Sequence, residues 1–203
     1  MTPSTLTVHV VDDDEAVRKS ILYLLTAKGF QVCTHASGES FLESADLQRG
    51  GCVILDLRMG GLSGLQVFDV LRERASPLVP LFLSGHGDIS LAVDATKKGA
   101  FGWLEKPCKD TVLHDTVTQA MEEAARTYAA YQTRVEQQGR WQTLTPRERE
   151  VALQLRTGAA NKVVARSLDI DVRTVETHRA KVYSKLGVTN PTELDAFLRC
   201  AGL

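Results

Sequence analysis

Residues 8–14 read VHVVDDD, a short β-favouring run that ends in the acids Asp12 and Asp13. Three further runs end in the same manner: VILDLRM on Asp56, PLFLSGHG on Ser84 and WLEKP on Lys106. Each polar side chain stands at the carboxyl end of an apolar strand, where an open parallel α/β sheet gathers its ligand site. Carboxylates, a hydroxyl and an ammonium brought together at four strand ends suit a Mg2+-assisted phosphoryl transfer onto Asp56.

Outward from these runs, the chain alternates strands with amphipathic helices. Strands are expected at 7–11, 30–34, 52–57, 78–84 and 101–105. Val17, Ile21, Leu24 and Leu25 repeat at helical spacing before a stop at Gly29, as do Leu65, Phe68 and Leu71 further on. Ile89, Val93 and Thr96 precede Gly99 in the same way. This βα repeat predicts a five-stranded parallel sheet covered on both faces. From Thr111 the pattern is helical, with Val117, Met121, Ala124, Tyr128, Tyr131 and Val135 spaced as a heptad-like seam. The seam fits either a linker helix that pairs or transmits a signal, or a helix packed on its own domain. After Gly139 the chain is expected to restart. Thr145 is placed as an N-cap and Pro146 in the first turn, followed by Val151, Leu153 and Leu155 and a stop at Gly158. Helices at 161–168 and 173–186 flank a short turn, and Pro191 opens a last helix through Leu198.

At 203 residues the chain has room for two domains. The net charge of −1 conceals a division. Residues 1–125 hold eleven Lys/Arg against seventeen Asp/Glu, and residues 143–203 hold ten against seven. The mildly basic rear is the candidate for an anionic partner. Cys33, Cys52, Cys108 and Cys200 are scattered without CxxC spacing, which disfavours a disulfide framework or a zinc site and leaves reduced, mostly buried thiols. No basic-then-apolar leader and no apolar run of about 20 residues is visible, so a cytoplasmic location is expected.

Mg2+ takes hard oxygen ligands and keeps several waters. Asp13 and Asp56 are the expected direct ligands, with Asp12 acting through water. A carboxylate nucleophile accepts a phosphoryl group as an acyl phosphate, and the transfer needs mainly a metal, a cation and donors on the equatorial oxygens. Lys106 supplies the cation and Ser84 a hydroxyl, while Gly85 and Gly87 leave room. Taken singly, each residue reads as a turn, a cap or a solvated charge. The ordered set favours function.

From about Thr7 to Met121 the chain resembles the receiver domains of two-component response regulators, through VVDDD, DLRM, SGHGD and GAFGWLEKP. The resemblance implies a flavodoxin-like fold with Asp56 as phosphoacceptor, Asp12 and Asp13 as the acidic pair, and Ser84 and Lys106 sensing phosphate. It also implies the main-chain carbonyl of Arg58 as a metal ligand, a cis Lys106–Pro107 bond and Trp103 in the place of the switch aromatic, usually Phe or Tyr. The family usually has Pro after DLRM; here Gly60-Gly61 stand instead, and a looser loop is expected.

In the rear, RTVETHRAKVYSKL places Val175, Val182 and Leu186 on one helical face and Arg173, Glu176, Thr177, Ala180, Lys181 and Ser184 on the other. His178 lies near the inward face. The polar face mixes cations for phosphate with short polar groups for base edges, and Lys162, Arg166 and Arg179 are placed to clamp flanking phosphates. A solvated helix face or a protein-binding bundle gives the same period. LTPREREV, NKVVARSL and TVETHRAKVYSKLGV resemble the LuxR-type helix-turn-helix of the FixJ/NarL regulators over about residues 143–203. That resemblance implies Glu176, Thr177 and Lys181 as base readers and a last helix that serves dimerisation; the front half looks closest to the FixJ branch.

The combined expectation is an α/β flavodoxin-like receiver at 1–125, a helical linker at 126–142 and a small all-α DNA-binding domain at 143–203. Such a chain is a transcriptional regulator rather than an enzyme. A sensor histidine kinase phosphorylates it with Mg2+, and it binds a double-stranded operator, as a homodimer when phosphorylated. The rivals are a phosphorylation-independent regulator with a relic pocket, and a phosphate-sink or interaction protein.

Overall fold

The computed structural model describes residues 6–85 and 89–203. The chain divides into two compact units, Met1–Ala129 and Ala130–Leu203.

In the first unit β1 (Thr7–Val11), β2 (Gln31–His35), β3 (Gly51–Asp56), β4 (Leu78–Ser84) and β5 (Gly102–Glu105) form one parallel sheet in the order β2-β1-β3-β4-β5. Between them run α1 (Glu15–Ala27), α2 (Gly38–Ser44), α3 (Gly64–Glu73) and α4 (Ile89–Lys97), and α5 (Asp110–Gln142) follows β5. Every residue of β3 and β4 is buried, as a sheet covered on both faces requires. On one face Val8, Val10, Ile54 and Leu81 pack against Ile21 and Leu25 of α1 and Leu113, Val117 and Ala120 of α5. On the other, Val11, Val53, Leu55 and Phe82 meet Phe41 of α2 and Val67, Phe68 and Leu71 of α3.

Local chemistry sets the ends. Asp14 caps α1 by accepting the Ala16 and Val17 N–H groups, and Ser63 and Gln66 form a capping box on α3. Gly29 (φ 90°) lets the Phe30 N–H return to Leu25 O at 3.1 Å, so β2 starts one residue later than expected. The short helix α2 is absent from the sequence reading: Phe41 is its one fully buried large side chain, too little for a period. Pro80 sits inside a central strand. Its carbonyl accepts the Phe101 N–H at 2.8 Å, so its nitrogen faces the segment before β5, whose pairing begins at Leu81↔Gly102. No ladder donor is lost there.

The seam along α5 divides by role. Leu113, Val117, Ala120 and Ala124 are buried in the receiver's own core, which favours the reading of a helix packed on its own domain for this part. Val135 is 46% exposed. The expected restart at Gly139 does not occur, because α5 continues to Gln142. A mid-helix Gly costs only about 1 kcal/mol, and the last turns are held by an Arg140–Glu136 ion pair at 2.7 Å and by Gln138 Nε2 donating to Ala201 O at 3.0 Å.

The second unit adds α6 (Pro146–Leu155), α7 (Asn161–Leu168), α8 (Val172–Leu186) and α9 (Pro191–Ala201) around Val151, Leu155, Val164, Val175, Val182, Leu186, Leu194 and Leu198. Thr145 and Glu148 form a capping box with Pro146 in the first turn. Leu153, expected inward, is 44% exposed; Ala152 is fully buried and takes that place in the core. Asp169, left-handed at φ 52°, ends α7, and Asp171 caps α8. The helix α9 runs past Leu198 to Ala201 and stops at Gly202 (φ 78°). Of the four thiols, Cys52 is buried and its thiol pushed up to about 12 by burial, whereas Cys33 and Cys200 are exposed, against the expectation of mostly buried thiols. No described helix is long and apolar enough to cross a membrane.

Candidate functional site

The sheet order reverses direction between β1 and β3, the crevice where a doubly wound fold collects ligands. Asp12 follows β1, Asp56 ends β3, Ser84 ends β4 and Lys106 follows β5. Asp12, 1% exposed, is held at each polar atom. Its N–H donates to His35 O at 3.3 Å, and its carbonyl accepts Arg18 Nη1 at 2.7 Å. Its Oδ1 accepts the Asp14 N–H at 2.9 Å, and its Oδ2 accepts Lys106 Nζ at 2.6 Å. Asp56, 7% exposed, accepts the same ammonium on Oδ1 at 2.9 Å. Asp13 is exposed and takes the Gly60 N–H on Oδ2 at 3.0 Å.

Burial pushes the Asp56 carboxyl above its ordinary range; the Lys106 hydrogen bond opposes this, and the charges of Asp12 and Asp13 reinforce it. Burial disfavours the Lys106 ammonium, but its bonds to the two carboxylates outweigh that and raise its pKa. Oxygens of Asp12, Asp13 and Asp56 lie within 4.8 Å of one another. Three hard carboxylate oxygens so grouped, with Lys106 donating to two of the carboxylates, fit a small divalent cation such as Mg2+.

The remaining expected residues surround this centre. Ser84 is 1% exposed, with its hydroxyl donating to Gly85 O at 3.3 Å. Space beside Gly85 is open; Gly87 lies outside the described residues. Arg58 is exposed in the loop after β3, and the Lys106–Pro107 bond is cis. Trp103 is half-buried with its ring 5.3 Å from Phe82, which packs edge-on against Phe68. Sequence reasoning missed Arg18, whose bond to Asp12 spans six residues, and also the Gly60 N–H contact and Glu39, which join distant segments and leave no periodic signal.

It also missed a buried pair behind Asp12. His9 Nδ1 lies 3.1 Å from His35 Nε2, and both rings pack on Phe41. Ser44 donates to Ser40 O at 2.5 Å, so its oxygen accepts from His35 Nδ1 at 3.2 Å. His35 Nε2 then accepts from His9 Nδ1, which assigns both tautomers as neutral. Burial, then the neighbouring His35, lowers His9 to about 4.

On α8, Arg173, Glu176, Thr177, Ala180, Lys181 and Ser184 are all exposed, as are Lys162 and Arg166 on α7. Val175, Val182 and Leu186 are buried. Thr177 Oγ1 donates to Arg173 O at 3.0 Å, which leaves its methyl and its acceptor lone pairs for a ligand. Arg179 is half-buried, 5.1 Å over the Tyr183 ring and 3.4 Å from Asn161 Oδ1, so it is less free than the other cations of this face. His178 is half-buried, with no hydrogen-bond partner for Nδ1 among the described residues. The direction of α8 is fixed from beneath. Glu148, 3% exposed, accepts Lys185 Nζ at 2.6 Å, and Lys185 also donates to Thr143 O at 3.2 Å. Lys185 and the Thr145 N–H hold the Glu148 carboxyl below the usual carboxylate range.

An acidic crevice of this kind, on a five-stranded parallel sheet joined in one chain to a helix-turn-helix with an exposed polar face, defines a response regulator. The response regulator receiver domain matches residues 8–118, over half the chain, and the luxR family of bacterial regulatory proteins matches residues 142–197. The chain belongs to the response-regulator family, among the members that join a receiver to a LuxR-type DNA-binding domain. It is 41% identical over 180 residues to the transcriptional regulatory protein FixJ of Rhizobium meliloti (strain 1021), covering 89% of this chain and 88% of that one. It is 40% identical to the C4-dicarboxylate transport transcriptional regulatory protein DctR of Rhodobacter capsulatus, covering 94% and 98%. Among solved structures, the response regulator StyR superposes with a TM-score of 0.75 at 34% identity, covering 96% of this chain and 98% of that one.

Proposed function

We propose that this protein is a phosphorylation-controlled transcription factor whose phosphoacceptor is Asp56. The observation that carries the reading is the buried Asp56 carboxylate, 2.9 Å from Lys106 Nζ and grouped with Asp12 and Asp13. A sensor histidine kinase presents a phosphohistidine; the N–P bond breaks as an Asp56 oxygen forms the new bond to phosphorus. Asp13, Asp56 and the Arg58 carbonyl would hold Mg2+ directly and Asp12 would hold it through water. When bound there, Mg2+ would supply positive charge against the transferring group. Lys106 exchanges a carboxylate oxygen for a phosphoryl oxygen, and the Ser84 hydroxyl turns from Gly85 O to the phosphate. These shifts, with repacking of Trp103 on Phe82, alter the face made by α4, β5 and α5. That face controls homodimerisation or docking of the DNA-binding domain, and thereby operator binding.

In this reading residues 1–125 receive the phosphate, 126–142 link and 143–203 bind DNA. Glu176, Thr177 and Lys181 read bases, with Lys162, Arg166, Arg173 and Arg179 on phosphates. The protein works in the cytoplasm, without turnover of a separate substrate. The deciding experiment is intact-protein mass after incubation with Mg2+ and a small-molecule phosphodonor. One added phosphoryl group, absent from D56N and from the metal-free sample, is expected. No addition, with no Mg2+ binding, leaves a phosphorylation-independent DNA-binding regulator.

A further inference from the structure

The loop between β3 and α3 carries the feature in which this chain departs from the family it resembles. Where Pro usually follows DLRM, Gly60 stands. A Pro there has no N–H. Gly60 has one, and it donates to Asp13 Oδ2 at 3.0 Å across 47 residues of sequence. Two residues on, the Leu62 N–H donates to Glu39 Oε1 of α2 at 2.7 Å; hydrogen bonds from Glu39's own backbone, then from Leu62 and Ser37, hold the Glu39 carboxyl below its usual range. Between the two tethers Gly61 adopts φ 85°, and a Cβ there would collide with Glu39 Oε1. Gly61 is favoured by its left-handed backbone, whereas the space beside Gly60 is open and its backbone lies outside that region. The loop expected to be loose is fastened at both ends.

We propose that the Gly60 main-chain N–H is a positioning group for the divalent cation, fixing the exposed Asp13 carboxylate toward Asp12 and Asp56. Even the short side chain of an Asp samples several rotamers at an exposed site, and ordering it is part of the cost of binding. An N–H already bound to one carboxylate oxygen orders the side chain before the cation arrives, as hydrogen bonds to metal ligands do elsewhere, where their loss costs about 10–100-fold in affinity. This rests on the reading of the acidic pocket as a Mg2+ site and adds the residue that sets its affinity.

The test is calorimetric titration of the full-length protein with Mg2+ alone. Gly60→Pro deletes the N–H, while also fixing φ and restricting Met59, and is expected to weaken binding by about 10-fold, the lower end of that range. Gly60→Ala keeps the N–H and is expected to match the unsubstituted protein. Equal affinity in Gly60→Pro, or equal weakening in both variants, overturns the proposal while leaving the metal site standing. Absence of Mg2+ binding in the unsubstituted protein overturns both readings. Amide hydrogen exchange on the unsubstituted protein gives a second measure that needs no variant: the Gly60 N–H, on an exposed residue, is expected to exchange slowly. Exchange at the rate of an unbonded amide also overturns the proposal.

Discussion

Asp56, the proposed phosphoacceptor, is a residue that the fold holds at a cost. Its carboxyl is raised by burial and by two neighbouring acids, so the folded state holds its charged form less readily than the unfolded chain does. Asp56→Asn is therefore expected to abolish phosphoryl addition and, at pH 7, to raise the melting temperature of the receiver. A fall in melting temperature would contradict the assigned electrostatics. The His9–His35 pair behaves in the opposite sense as pH falls. Histidine ordinarily titrates near about 6.5, but His9 is lowered to about 4. The unfolded chain thus binds protons that the folded receiver refuses, and stability present above about 6.5 is lost progressively as pH falls toward about 4. Thermal melts at stepped pH should show this decline, and His9→Gln should flatten it. The acids of this site were legible in the sequence because each terminates an apolar run. The His pair was not, since adjacent strands bring together residues 26 apart.

At the scale of elements, α8 presents a polar face because three apolar side chains anchor the other, a division that periodicity alone conveys. Its bearing on α6 is tertiary. Glu148→Ala leaves the Thr145 N–H and Lys185 without their acceptor, and a loss of about 2 kcal/mol in the stability of the DNA-binding unit is expected from denaturant melts. Because the Glu148 carboxyl is held below its usual range, this contribution is present above about 4.3 and is lost as pH falls further. On the exposed face, Lys181→Ala should weaken binding to all DNA sequences and reduce the slope of log affinity against log salt by about 1. Glu176→Ala should instead relax preference at a single base position, a discrimination of about 1–3 kcal/mol. A uniform effect from Glu176→Ala would remove it from base reading. The short α2 and the continuity of α5 through Gly139 were hidden for related reasons. Seven residues show too little period, and a lone Gly does not break a helix whose neighbouring side chains are tied down.

For the whole molecule, the proposed switch makes phosphate control how many copies meet the operator. Linking two half-site contacts in a dimer raises avidity by about 10²–10⁴ without a new base contact. Sedimentation of the protein with Mg2+ and phosphodonor should give a dimer, with D56N remaining as the untreated protein; identical behaviour of the two would move control to domain docking. The sequence by itself determined the parallel α/β class, the acids, hydroxyl and ammonium at the strand ends, and the polar and apolar faces of α8. All of these are local: they depend on runs, periods and caps within a few residues. The tertiary structure alone decided that Lys106 bridges Asp12 and Asp56, that Arg18 and His35 brace Asp12 from behind, and that Gly60 and Glu39 fasten the β3–α3 loop. Except for Arg18, six residues from Asp12, those bonds join segments far apart in the chain, and their distances exist only once the hydrophobic core has brought the strands and helices together.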